Sequence, residues 1–169
     1  EAALAGGAGV IQVRDEESDG RRLYEVATLL LPLARKHRAP LVVNDRADVA
    51  MAAGADGVHL GRDDLPIEAA RRIVPARMLV GATARGLQEA HAAAECGASY
   101  VAVGSVFPSE TKDAPRIGAD LAEEIACAVA VPVVAIGGID ARRARSLGGK
   151  KIAGVAVSRA LFGAEDVAA

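Results

Sequence analysis

Ala53-Gly54-Ala55-Asp56-Gly57-Val58 is the stretch on which the fold reading turns. A small residue and a glycine that stop a helix, followed within a few residues by an apolar β-branched position, form a turn that feeds a strand. The same shape recurs as Ala5-Gly6-Gly7-Ala8-Gly9-Val10 and as Cys96-Gly97-Ala98-Ser99-Tyr100-Val101, a weak internal repeat of one helix-to-strand unit. Outward from these turns, short β-branched runs alternate with amphipathic Ala/Leu/Arg/Glu segments along the whole chain. Strands are expected at Val10–Arg14, Leu41–Asp45, Gly57–Gly61, Met78–Thr83, Tyr100–Gly104, Pro132–Gly138 and Ile152–Ser158. Helices are expected near 19–37, 46–53, 66–74, 86–96, 118–129 and 140–147, with a short one after Ser158.

Runs such as Leu41-Val42-Val43 and Val133-Val134-Ala135-Ile136 are apolar without alternation, the pattern of strands covered on both faces, so a parallel α/β fold follows. Seven βα units are one short of a (β/α)8 barrel, a TIM barrel whose first strand would then precede Glu1. A doubly wound open sheet is the alternative, but no Gly-x-Gly-x-x-Gly follows the first strand. No linker composition divides residues 1–169, so a single, N-terminally incomplete barrel domain is expected.

The 169 residues are 51% hydrophobic and 25% charged, enough to bury a core without disulfides or a structural metal. Aromatics are 2% and the net charge is -2, which leaves neither stacking platforms nor a basic footprint for nucleic acid. No apolar run is long enough for a membrane span. Cys96 and Cys127 belong to no ligand spacing and are expected as buried, reduced thiols, which fits a cytoplasmic protein.

In a parallel α/β fold the chemistry collects at the carboxyl ends of the strands. Those ends carry Gln12 and Arg14; Asn44 and Asp45; His59, Arg62 and Asp64; Thr83; Ser109, Thr111 and Lys112; Gly137 and Gly138; and Ser158. Asp45 and Asp64 each have a plain alternative as helix caps. Two carboxylates at neighbouring strand ends are nevertheless what a Mg2+ site shared with a phosphorylated ligand needs, because that ion keeps several waters and takes one or two protein carboxylates. Arg14 calls for an anion or an ion-pair partner. Lys112 lies in a long polar loop in a chain whose other connections are short, and such loops are usually functional. Gly137-Gly138 before a helix allows backbone N–H groups to approach a phosphate. No nucleophile has a base at a comparable strand end.

Gln12-Val-Arg14, Val43-Asn-Asp-Arg46, Ala53 to Gly61 with Asp64-Leu-Pro66, Gly104-x-x-Phe-Pro-x-x-Thr-Lys112 and Ala135-Ile-Gly-Gly-Ile139 together resemble the thiamine phosphate synthase family, to which the thiazole tautomerases are related. The resemblance implies a cytoplasmic, Mg2+-dependent (β/α)8 transferase. It joins 4-amino-5-hydroxymethyl-2-methylpyrimidine diphosphate to thiazole phosphate and releases pyrophosphate. By that resemblance Asp45 and Asp64 hold the metal, and Arg14, Asn44, Thr83 and Lys112 grip the diphosphate. Gln12 contacts the pyrimidine, Ser109 and Thr111 face the thiazole phosphate, and Gly138 binds its phosphate through the backbone, with Ser158 beside that site. Partners are phosphorylated small molecules, not nucleic acid or membrane; homo-oligomerisation stays open.

The chain departs from the family pattern at a few places. Glu16 stands where the family usually carries Lys, and Arg62 where Gln is usual, so Arg62 is expected to restore positive charge, paired with Glu16. Thr83 replaces a usual Ser, and Ser158-Arg159 stands where Val-Ser is common. Two alternatives remain: a noncatalytic barrel that binds thiamine intermediates, to which Glu16 points, and a tautomerase-like protein, against which Arg85 stands at the catalytic His position.

Overall fold

The computed structural model describes residues 1–108 and 116–163. They fall into two compact units, one built on Glu1–Gly81 and one beginning at Ala82. The elements are α1 (Ala2–Ala5), β1 (Ile11–Val13), α2 (Gly20–Lys36), β2 (Leu41–Asn44), α3 (Ala47–Ala53), β3 (Gly57–Leu60), α4 (Ile67–Ile73), β4 (Leu79–Ala84), α5 (Leu87–Glu95), β5 (Tyr100–Val103), α6 (Gly118–Ala128), β6 (Val133–Ile136), α7 (Ala141–Ser146), β7 (Gly154–Ala156) and α8 (Arg159–Phe162). All seven expected strands are present, in the order β1-β2-β3-β4-β5-β6-β7.

The repeated turn has one geometry at its three places. Gly7, Gly54 and Gly97 have φ of 95°, 69° and 92°, a region that favours glycine. In each turn the alanine after the glycine donates its N–H five residues back: Ala8 to Ala3 at 3.0 Å, Ala55 to Ala50 at 2.9 Å and Ala98 to Ala93 at 2.9 Å. These bonds satisfy carbonyls at the helix end that have no partner inside the helix.

In the first unit β1, β2 and β3 are parallel, with Val13 beside Val43 and Asn44 beside His59. Leu41, Val42, Val43 and Val58 are wholly buried, as strands covered on both faces require. Helix α2 supplies part of that cover through Leu23, Ala27, Leu31 and Ala34, spaced four, four and three residues apart along one face. Asp19 caps it, accepting the Arg22 N–H at 2.9 Å. Strands β3 and β4 approach so closely that a side chain at Gly57 would meet Leu79 Cβ at 2.8 Å and the Leu79 carbonyl oxygen at 2.9 Å.

In the second unit β5, β6 and β7 are parallel, with Val101 beside Val133 and Ala135 beside Val155. Strand β7 departs from the expected continuous burial: it spans three residues, and Val155 and Val157 are exposed. Among the described residues it stands last in the strand order and pairs with β6. The cysteines also depart from expectation, Cys96 being half-buried and Cys127 exposed. Helix α6 buries Ala122 and Ile125, and Cys127 falls on its other face.

Candidate active site

In the first unit the carboxyl ends of β1, β2 and β3 gather six of the expected residues. Gln12 Nε2 donates to Asn44 Oδ1 at 2.8 Å, joining the ends of β1 and β2. Asp45 follows β2 with φ of 62°, a left-handed conformation that Asp and Asn tolerate better than most residues. Its N–H donates to the His59 carbonyl at 2.7 Å, and Arg46 N–H turns back to the Asn44 carbonyl at 2.7 Å. That tight turn takes Asp45 off the path into α3. Arg46, not Asp45, is the N-cap residue of α3, and it makes no side-chain cap bond; its guanidinium pairs with Asp48 instead.

Asp64 is not a helix cap either. Pro66 holds the N-cap position of α4, while Asp64 Oδ2 accepts the Gly61 N–H at 2.6 Å. A side chain at Gly61 would meet that oxygen at 2.8 Å, so the close backbone approach depends on glycine. With both carboxylates released from capping, Asp45 and Asp64 stand close enough for Asp64 to act on the Asp45 carboxyl. Burial, then the hydrogen bond and charge of Asp64, push Asp45 up to about 6, against the pull of the Arg14 guanidinium; Glu16 adds to the rise.

Two neighbouring carboxyls present the oxygens that a hard divalent cation takes, and such an ion would displace any proton that Asp45 holds. Among the described residues no group of three or more His, Cys, Asp and Glu side chains is arranged to hold a metal ion, so such an ion would have to draw its remaining ligands from water or substrate. The residues present fit Mg2+ on those terms.

Arg14 forms an ion pair with Glu16, both side chains reaching solvent. Beside it a cavity of about 180 Å³ is lined by Asp15, Glu16, Ser18, Leu23, Asn44, Asp45 and Arg46. Asp15 accepts from Ser18 Oγ at 2.5 Å and from Glu17 N–H at 3.2 Å, bonds that hold its carboxyl below the usual range. Arg62 is exposed and His59 is buried.

In the second unit Thr83 is half-buried in β4, and Ser158 is the exposed N-cap residue of α8, without a side-chain cap bond. Gly137 and Gly138 follow β6 with φ of 100° and 61°. A side chain at Gly138 would overlap the Pro108 carbonyl oxygen, and one at Gly137 the Ser105 hydroxyl. Ser109, Thr111 and Lys112 lie outside the described residues.

A family model described as thiamine monophosphate synthase matches residues 1–161. The chain belongs to the thiamine monophosphate synthase family. It is 45% identical to the thiamine-phosphate synthase of Roseiflexus sp. (strain RS-1) over 98% of this chain and 71% of that one. With the thiamine-phosphate synthase of Pyrococcus furiosus it shares 46% identity over 98% of this chain and 80% of the relative. The solved thiamine phosphate pyrophosphorylase from Pyrococcus furiosus superposes with a TM-score of 0.93 at 44% identity, over 99% of this chain and 81% of that chain. 3-Hexulose-6-phosphate synthase, at 18% identity and a TM-score of 0.69, shares the fold alone.

Within this thiamine monophosphate synthase family member, sequence reasoning missed the Asp15–Ser18 wall of the cavity and the turn that redirects Asp45. Asp-x-x-Ser immediately before the Asp19 cap was the available signal for the first. Nothing in the local sequence signals the second, because the turn is held by the His59 carbonyl on another strand.

Proposed function

We propose that this chain couples 4-amino-5-hydroxymethyl-2-methylpyrimidine diphosphate to thiazole phosphate in a Mg2+-dependent reaction that yields thiamine phosphate and pyrophosphate. The observation that carries the reading is the Asp45–Asp64 pair, two neighbouring carboxyls released from capping in a chain of this family. The bond from the pyrimidine's methylene carbon to the diphosphate oxygen breaks and its electron pair leaves with pyrophosphate. The thiazole nitrogen then donates its lone pair to that carbon. An electron-rich aminopyrimidine stabilises the intervening cation, so the protein's task is to receive leaving-group charge and to position two reactants. No general base is required, in keeping with strand ends that carry cations, amides and carboxylates.

Asp45 and Asp64 hold the ion, which when bound neutralises the departing diphosphate. Arg14 and Asn44 contact the diphosphate, as Thr83 and Lys112 do, and Arg62 adds positive charge. Gln12, anchored on Asn44, faces the pyrimidine. Ser109 and Thr111 serve the thiazole phosphate, with the Gly138 backbone and Ser158. The (β/α)8 barrel is the architecture proposed for the fold, a reading that the TM-score of 0.93 to a family member supports.

The test is to mix both substrates with Mg2+ and follow thiamine phosphate and pyrophosphate. Product that disappears with EDTA and with Asp45→Asn is expected; its absence from a folded sample refutes the reading. The noncatalytic alternative draws on one observation, the Glu16 carboxylate held against Arg14 where a diphosphate would compete for the cation. Binding of the pyrimidine diphosphate without turnover would establish that alternative instead.

A further inference from the structure

The second unit holds a contact that the reaction as described does not use. Arg143, on α7, donates from Nη1 to the Gly138 carbonyl at 2.6 Å, and its guanidinium lies over the Phe107 ring, 5.3 Å from the centroid. Asp140 fixes the root of this side chain, accepting the Arg143 N–H at 2.8 Å and standing 3.8 Å from its Nε. Phe107 acts a second time through its backbone, where its N–H donates to the Gly137 carbonyl at 3.1 Å. Two consecutive carbonyls of the Gly137-Gly138 turn are therefore tied to one small group, Arg143 stacked on Phe107.

Such a turn needs tying. Glycine at positive φ has no side chain to restrict it, and two in succession make a segment with many accessible conformations. The peptide plane converts a hold on a carbonyl into a direction for the next N–H, because the two groups point oppositely across one rigid unit. The bond from Phe107 to the Gly137 carbonyl thus sets where the Gly138 N–H points. The bond from Arg143 to the Gly138 carbonyl sets where the Ile139 N–H points.

We propose that Arg143 is a positioning residue for the synthase reaction: by clamping the Gly138 carbonyl while braced on Phe107, it aims the backbone N–H groups of Gly138 and Ile139 at the phosphate of the thiazole substrate. The inference rests on the functional reading above, in which Gly138 serves that phosphate. A guanidinium suits the task because it is planar and permanently charged, so the same group donates along its edge to a carbonyl and stacks by its face on a ring. Arg143 also lines a cavity of about 350 Å³ with Phe107, Asp140, Arg142 and Ser146. Because Arg143 itself lines this cavity, its truncation opens room for water where the guanidinium stood, so the loss is of direction more than of stability.

The experiment is steady-state kinetics of the full chain with Mg2+, each substrate varied in turn, on the wild type, Arg143→Ala and Arg143→Lys. Arg143→Ala is expected to raise the KM for thiazole phosphate about 5- to 10-fold, as for the loss of one charged hydrogen bond. The KM for the pyrimidine diphosphate should stay within about 2-fold, and Tm should fall by no more than about 5 °C. Arg143→Lys, which keeps a charge and a donor, should recover part of the loss. Both KM values rising together, or neither changing, overturns the proposal. NMR cross-peaks of the Gly138 and Ile139 amides give a readout independent of turnover: they should move in Arg143→Ala and return toward wild type in Arg143→Lys. Unmoved cross-peaks refute the positioning role. A wild-type chain that makes no thiamine phosphate sinks the synthase reading, and with it the assignment to the thiazole substrate, whatever the cross-peaks do.

Discussion

Replacing Asp45 by Asn separates the charge of this side chain from its shape. Asn keeps the size and tolerates the left-handed φ of 62°, so the turn after β2 is retained. In the folded chain the Asp45 carboxyl is raised from 3.8 to about 6, chiefly by burial and then by Asp64. The folded state therefore holds a proton that the unfolded chain has already released between those values. That contribution is complete below 3.8 and is lost as pH rises through about 6. Two pKa units correspond to about 3 kcal/mol at most. Asp45 is only half-buried, and solvent screening reduces this to about 1 kcal/mol. Without metal at pH 7.5, Asp45→Asn should therefore melt about 3 °C above wild type, with the difference vanishing near pH 4. Mg2+ at 100 times its Kd should add about 2.7 kcal/mol to the wild type and far less to the variant. Thermal melts from pH 4 to 8, with and without Mg2+, measure both effects. A variant that melts lower than wild type without metal at pH 7.5, or that keeps the full Mg2+ response, refutes the reasoning.

Glu16→Gln releases Arg14 from a solvent-reaching ion pair of at most about 1 kcal/mol, so the KM for the pyrimidine diphosphate should fall about 2- to 5-fold in initial-rate assays. Arg62→Gln removes an exposed positive charge, and the same assay should show that KM raised about 3-fold; an unchanged value rejects a role for Arg62. Gly57→Ala places a methyl group against Leu79 Cβ and its carbonyl oxygen between two strands, which should lower stability by about 2 kcal/mol in urea denaturation.

The order and type of the elements were legible because they rest on local chemistry. The three glycine turns at Gly7, Gly54 and Gly97 each stop a helix through bonds made inside the turn, and the Leu41-Val42-Val43 run needs cover on both faces wherever it is placed. The exposure of Val155 and Val157 was not legible, since it depends on what packs against that segment and not on its own apolar residues. At the site, Gln12, Asn44, Asp45 and Asp64 were visible as strand-end polar residues, but the choice between caps and a carboxylate pair was not. That choice is made by the His59 carbonyl and the Gly61 N–H, groups whose sequence is silent about where they point. Glu16 was visible as an unexpected anion; its engagement with Arg14, two residues earlier, required the path of the chain after β1.

The left-handed backbone at Asp45 restricts what mutation can do there. Branched and bulky side chains are strained in that region, which leaves Asn and Gly as the replacements the turn accepts with least disturbance. Neither brings a negative charge. A relative that loses the negative charge at this place yet keeps the turn should therefore bear Asn or Gly there, and a longer or branched side chain should come with a rebuilt loop.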